Sequence, residues 1–384
     1  MKNVLLVFGG VSYEHDISIV TAFQIYKKAR LENINLVLFY VSRDGKFYVC
    51  DEKKVKFSDF AKNNFSPKSS GFREVVFVSG ERKKLFTKTY FGLKEFLTAD
   101  VAIFACHGGD GENGKLVTIF NSYGIATSAG SSDALSVCMD KFLFKTFAKG
   151  LKIPVVNGFK IMKNEFSCNE KEIKLKLRRI GFPAILKINS GGSSIGLFIC
   201  KNEEEFDLKA KEAFELDDEI VVEKFIKNAR EFNVAILGDS EKFEISEIDE
   251  PIKNNEVLTF ADKYLSDSSS KCKGSKGSMA SISRNTVPDL SDENVDKIKK
   301  ISEKLFLKLG LFGVVRFDFL YVKDKDKLYV CEVNTIPGSL AFYFFKKNKI
   351  VTNDLIEKLI DIAEKNYHKN QIKSEFIVDI LSKK

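Results

Sequence analysis

Two triplets, Arg316-Phe317-Asp318 and Glu332-Val333-Asn334, are the residues in this chain best suited to chemistry. Each has an apolar centre between polar neighbours, the period-two pattern of a strand, so Arg316 shares a side with Asp318, and Glu332 with Asn334. On adjacent strands they would put one cation, two carboxylates and an amide oxygen on a common face. Oxygen ligands of this kind suit Mg2+, which proteins hold through one or two carboxylates while substrate phosphates supply the rest. An exposed hairpin with a cross-strand ion pair would use the same residue types. The turn Asn334-Thr335-Ile336-Pro337-Gly338 weighs towards chemistry, because its backbone N–H groups leave the strand where a developing oxyanion would need donors.

A second constellation is Lys187, at the end of an apolar strand, followed by Ser190-Gly191-Gly192-Ser193-Ser194-Ile195-Gly196. Glycines let backbone amides approach phosphate oxygens, hydroxyls add donors, and the lysine supplies countercharge. Alone it reads as a Gly/Ser hairpin turn beside a chance lysine; beside a metal-binding face it reads as a phosphate loop. Gly109 to Lys115 imitates a Walker A loop but runs into Leu116 where Ser or Thr should meet magnesium, so it is not one. That segment instead follows a strand and precedes a helix, the place where open α/β sheets bind ligands, which makes His107 a candidate substrate-site residue. A lone histidine at a strand end is more often structural.

The elements that must position these residues follow from periodicity. Alternating strands and helices (strands Asn3 to Phe8, Asn35 to Val41 and Val101 to Ala105; helices Ser18 to Arg30 and Leu116 to Tyr123) predict an open α/β sheet. Cys50 to Thr98 has weak periodicity and many Lys, Phe and Ser, and reads as an irregular, partly exposed insertion. A compact unit from Asp140 to Phe225 follows, with helices over Lys141 to Lys149 and Lys171 to Ile180. Its strands lie near Phe159 and over Pro183 to Lys187, Leu197 to Cys200 and Ile220 to Lys224. Longer antiparallel strands come next, at Phe232 to Leu237, Phe243 to Ile248, Val314 to Tyr321 and Lys327 to Val333. A helix from Glu293 to Lys308 interrupts them and one from Asn353 to Asn366 closes the chain. The Ser, Gly and Lys of Asp262 to Ser283 are too polar to pack and predict a mobile loop.

Bulk properties agree with a multi-domain enzyme. A chain of 384 residues that is 44% hydrophobic and 30% charged has material for more than one core and is not disordered. The net charge of +8 does not point to nucleic acid, since lysines alternate with acids and no basic block is interleaved with aromatics. The apolar run Val4 to Phe8 is too short for a signal or a membrane span, so a cytoplasmic protein without membrane partners is expected. Seven cysteines with no C-x-x-C pair predict reduced, mostly buried thiols.

In order and spacing, a series of segments resembles the D-alanine-D-alanine ligase family of the ATP-grasp type: Gly9 to Glu14, His107 to Glu112, Met139-Asp140-Lys141, Lys187 to Gly196, Glu223 to Ile226, Arg230-Glu231-Phe232, Lys263 to Asp267, and Arg316 to Gly338. The resemblance implies an α/β and α+β, three-domain ATP-grasp architecture: an N-terminal open α/β, Rossmann-like substrate domain over 1–139, a central subdomain over 140–225, and a C-terminal domain over 226–384 with a lid at 262–283. It implies ATP-dependent joining of two D-alanines through D-alanyl phosphate, for peptidoglycan precursors, by a homodimer using ATP and two Mg2+ or Mn2+. By the same resemblance Lys141, Lys187 and Lys263 contact phosphates, and Glu223 with the backbone of Lys224 and Ile226 reads adenine. Glu231 holds the ribose, and Asp318, Glu332 and Asn334 bind the metals. Glu14, Ser193 and Tyr264 form a hydrogen-bonded set that closes the loop, His107 lies near the second D-alanine, and Arg316 with the Gly338 amide steadies the tetrahedral intermediate.

After Gly338 the chain reads Ser339-Leu340-Ala341-Phe342-Tyr343-Phe344, where many family members carry a Thr/Ser-rich stretch touching the second substrate's carboxylate; Ser339 or the Tyr343 hydroxyl would take over that contact. Ligation of D-alanine to D-lactate or D-serine is the nearest alternative, and Tyr264 speaks against the ester-forming branch. A non-catalytic nucleotide-binding relative is disfavoured by the intact set of Lys187, Arg316, Asp318, Glu332 and Asn334. A nicotinamide oxidoreductase is excluded because no G-x-G-x-x-G follows the first strand.

Overall fold

A computed structural model describes residues 1–50, 55–60, 65–252, 284–286, 288–345 and 352–369. The expected lid, with Lys263, Tyr264 and Cys272, lies outside the described residues.

The described chain builds three larger sheets of eight, four and four strands. In the first, Lys2–Gly9 sits between Ile34–Val41 and Val101–Phe104, parallel to both, and Ala126–Thr127 extends the parallel side. Such strands are covered on both faces, which is why Val4 to Phe8 is a continuous apolar run and fully buried. The segment expected to be an irregular insertion is instead an antiparallel extension of this sheet, through Phe47–Cys50, Arg73–Val76, Lys84–Thr89 and Gly92–Thr98. Its alternation is hard to read because aromatic residues fill both faces: Tyr40, Phe60, Phe65 and Phe72 form one cluster, with the Phe60 and Phe65 rings stacked at 4.2 Å.

The central sheet has the order Leu197–Cys200, Ala184–Ile188, Glu219–Lys224, Gly158–Met162, entirely antiparallel, and packs its own core around Leu177, Leu186, Phe206 and Val222. The third sheet has the order Phe243–Ile245, Arg230–Gly238, Gly313–Val322, Lys327–Asn334, also antiparallel. Helix Asp292–Lys308, capped by the Ser291 hydroxyl accepting from the Asn294 N–H, packs Ile298, Leu305 and Phe306 on that sheet. The last helix, Thr352–Lys369, crosses back to the first sheet and buries Leu355, Ile356, Leu359 and Ile360 in its core. None of the helices among the described residues is long and apolar enough to cross a membrane.

Candidate active site

Strand register decides whether the first constellation exists. Arg316 pairs with Asn334 and Asp318 with Glu332, so the four polar side chains share one face while Phe317 and Val333 turn into the core. Arg316 grips Asp318 through Nε and Nη2, both at 2.7 Å from a carboxylate oxygen, and Asn334 Nδ2 donates to Asp318 Oδ2 at 2.9 Å. Burial, opposed by Arg316 and reinforced by the carboxylates of Glu332 and Glu231, pushes the Asp318 carboxyl up to about 6. This surplus of buried negative charge is what a divalent cation would relieve. Such an ion would take Asp318, Glu332 and Asn334 Oδ1, since the amide nitrogen of Asn334 is committed to Asp318. No three His, Cys, Asp or Glu side chains among the described residues gather into a complete metal cage, so phosphate oxygens would have to finish the coordination. After Asp318 the register slips so that Phe319 faces Val330, and Cys331 is the additional residue of this bulge, turned into the neighbouring cleft.

That cleft, about 970 Å³, opens between the central and third sheets. Its walls include Lys141, Lys187, the Gly191 to Ile195 turn, Glu223 to Ile226, Glu231, Asp318 and Glu332. Lys187 and Glu223 come from neighbouring antiparallel strands, and Lys187 Nζ donates to Glu223 Oε2 at 3.0 Å. Helix Lys141–Gly150 starts on an Asp140 cap and brings up Lys141, whose ammonium donates to the carbonyls of Asn189 (3.4 Å) and Gly191. Burial, partly offset by Glu332, lowers the Lys141 pKa, so an incoming anion would meet an ammonium short of countercharge. Lys145, one turn further on, is buried and ion-paired with Glu223. Sequence reasoning missed it, although its four-residue spacing from Lys141 places both on one helix face.

A second cleft of about 720 Å³ adjoins the first and shares Lys141, Gly191, Gly192, Ser193 and Glu332 with it. Glu14 precedes helix His15–Lys28, whose positive end favours its charge, and accepts a hydrogen bond from the Ser193 hydroxyl. A Cβ on Gly192 would collide with the Glu14 carboxylate, so a larger residue there would displace that side chain from its place beside Ser193. His107 is buried: Nδ1 donates to the Ile336 carbonyl (2.9 Å), which leaves Nε2 to accept from the Thr21 hydroxyl (2.8 Å). Burial lowers its pKa to about 4, keeping the ring neutral. Glu112, also missed, accepts from the N–H groups of Gly108 (3.0 Å) and Ile336 (3.2 Å), and burial together with Glu14 raises its carboxyl to about 7. The spacing of His107 and Glu112 across a glycine-rich turn was the available signal.

Arg316 and Gly338 line this second cleft; Ser339 and Tyr343 do not. Ser339 is fully buried with its hydroxyl on Gln24 Oε1 (2.7 Å) and its N–H on Thr21, and the Arg284 guanidinium stacks 4.3 Å over the Tyr343 ring. The Tyr343 hydroxyl receives Arg284 Nη2 at 3.3 Å, so in this structure the hydroxyls of both residues are engaged within the protein. Lys224, Ile226 and Glu231 also line the first cleft.

Two antiparallel sheets closing on a lysine-lined cleft, with acidic residues at one end and an open α/β sheet supplying an adjoining pocket, define an ATP-grasp ligase. Residues 3–129 match the family described as D-ala D-ala ligase N-terminus and residues 147–361 its C-terminus. The chain is 32% identical over 377 residues to the D-alanine-D-alanine ligase of Thermosipho melanesiensis, covering 97% of each. Its fold is similar to that of the D-alanine-D-alanine ligase of Coxiella burnetii (24% identity, 96% of each chain, TM-score 0.78). It is also similar in fold to a D-Ala:D-Ser ligase of Enterococcus faecalis (22% identity, 94% of this chain and 99% of that one, TM-score 0.75). The chain belongs to the D-alanine-D-alanine ligase family and is an ATP-dependent ligase.

Proposed function

We propose that the protein joins two D-alanine molecules through D-alanyl phosphate, releasing ADP and phosphate, and that it does so in the cytoplasm as a homodimer supplying peptidoglycan precursors. The observation that carries the reading is the shared wall: the lysine-lined cleft and the amino-acid cleft meet at Lys141, Gly191 to Ser193 and Glu332, so a phosphate in one reaches a carboxylate in the other. A carboxylate becomes a good electrophile only once phosphorylated, and juxtaposition provides most of what that transfer needs.

In this reading 1–139 is the amino-acid domain, and 140–225 and 226–384 grasp the nucleotide. Lys141 and Lys187 hold phosphates, Glu223, Lys224 and Ile226 take adenine, and Glu231 takes the ribose. Two Mg2+ or Mn2+ ions at Asp318, Glu332 and Asn334 would neutralise charge on the phosphates. Glu14, hydrogen-bonded to Ser193, orients the first substrate, and Arg316 with the Gly338 N–H stabilises the tetrahedral oxyanion. His107, neutral and held from both ring nitrogens, shapes the pocket and is not a proton carrier. Lys263 and Tyr264 keep their proposed roles on the phosphate and in closure.

The test is phosphate release from MgATP with D-alanine, D-serine and D-lactate, alone and paired with D-alanine. Release with D-alanine alone, giving the dipeptide, is expected. A folded enzyme that needs D-serine or D-lactate as acceptor would move it to the alternative specificity, which shares this fold.

A further inference from the structure

Lys145 has no part in the reading above, yet it occupies one of the most constrained positions in the molecule. Its side chain is buried, and its ammonium donates to Glu223 Oε1, while Lys187 holds Oε2 at 3.0 Å. One carboxylate, 2% exposed, thus carries two ammonium groups. The two lysines differ in reach: Lys187 and Glu223 line the nucleotide cleft and Lys145 lies behind them, outside its lining.

A triphosphate entering the cleft competes with Glu223 for Lys187. Taking Lys187 away from a buried carboxylate that had no other partner would leave an uncompensated charge, the costliest kind of buried group. Burial and then the adjacent Lys187 lower the pKa of Lys145 to about 7, so departure of Lys187 removes a repulsion and tightens the remaining pair.

We propose that Lys145 is a positioning residue for nucleobase selection: it keeps Glu223 charged and aimed into the cleft when Lys187 transfers to the phosphates, so that the site favours a 6-amino purine over a 6-oxo purine. This rests on ATP occupying the first cleft. A carboxylate there accepts from a 6-amino group and opposes a 6-oxo group, and a carboxylate that had drifted or neutralised would do neither.

The experiment uses full-length Lys145→Met. With D-alanine saturating, the KM for ATP should rise about tenfold, the ATP-over-GTP preference in kcat/KM should fall about tenfold, and the KM for D-alanine should stay within about twofold. A folded variant with unchanged ATP KM and unchanged ATP-over-GTP preference would overturn the proposal, as would a uniform loss of active fraction. Should Lys145→Met fail to fold, Glu223→Gln and the double variant Lys145→Met/Glu223→Gln decide it. A neutral amide needs no counter-ion, so adding Lys145→Met to Glu223→Gln should change the ATP KM by less than about twofold, and a full tenfold effect there would refute the role. Calorimetric ATP binding without amino acid separates the two readings: wild type that binds no ATP defeats the nucleotide assignment, whereas tight binding that Lys145→Met leaves intact defeats only the role of Lys145.

Discussion

Asp318 and His107 show what single residues contribute. Replacing Asp318 by Asn or Glu332 by Gln conserves shape and removes charge from the face shared by the two clefts. Each variant should lose at least about a hundredfold in phosphate release; Glu332→Gln should keep the wild-type melting midpoint within a few degrees, whereas Asp318→Asn, which leaves the buried Arg316 guanidinium without its carboxylate, should melt lower. Turnover at limiting Mg2+ equal to wild type would move the metal site elsewhere. His107 makes a pH prediction. Its pKa is about 4 in the fold against 6.5 ordinarily, a depressed base, so its contribution is complete above 6.5 and is lost as pH falls towards 4. The loss amounts to roughly 3 kcal/mol at 1.36 kcal/mol per unit. His107→Gln keeps a donor and an acceptor, so its stability deficit relative to wild type should be largest at pH 7 and shrink by roughly that amount at pH 4, read by urea midpoints. An unchanged deficit would mean that the ring is not held neutral. The shared face of Arg316, Asp318, Glu332 and Asn334 was legible because polar and apolar residues alternate there with the period of a strand. Lys145 and Glu112 were not, because a lysine in an amphipathic helix and a glutamate in a polar turn are indistinguishable from solvated ones until burial is known.

At the scale of elements, strand pairs with clear apolar centres were readable and boundaries were not: the first helix begins at His15 instead of Ser18, and the strand from Phe243 stops at Ile245 instead of Ile248. The larger miss, the antiparallel extension through Thr98, has a physical cause, since its outermost strand Gly92–Thr98 is mostly exposed and has no buried residue, and the buried positions are spread over three short strands. The bulge at Cys331 was equally invisible, because one additional residue changes register without changing composition. The Ser193 turn makes a prediction at this scale. Ser193 and Ser194 both have left-handed backbones (φ 51° and 64°), and the Ser193 hydroxyl reaches Glu14. Ser193→Ala and Ser193→Gly both delete that hydroxyl and should lose similar activity, about threefold to thirtyfold. Glycine adopts this backbone without strain, so Ser193→Gly should be more stable than Ser193→Ala by about 1 kcal/mol. Equal stabilities would show that the turn relaxes to another conformation in the variants.

For the whole molecule, the cores divide the chain differently from its order. The core of the first sheet runs on into Val314, Ile336, Leu340 and Phe345 of the C-terminal segment and is closed by Leu355, Ile356 and Leu359 of the last helix. Lys2 pairs with Glu364 at 2.7 Å, and the Arg30 N–H donates to Asn353 Oδ1 at 2.9 Å, tying the two ends of the described chain together. The central sheet keeps a separate core around Leu177, and the clefts lie where it meets the rest. The expected consequence is a body made of both terminal regions against which the central unit opens and closes. Leu359→Ala and Leu177→Ala each remove a buried leucine, with 1% and 0% exposure, and each should cost roughly 2 to 5 kcal/mol. Hydrogen exchange distinguishes them. Leu359→Ala should accelerate exchange in strands Lys2–Gly9 and Val101–Phe104, both remote from it in sequence, and spare Ala184–Ile188. Leu177→Ala should do the reverse. If both variants accelerated exchange in all three sheets equally, the molecule would open as a single cooperative unit, and closure would have to come from loops alone, without movement of the central sheet.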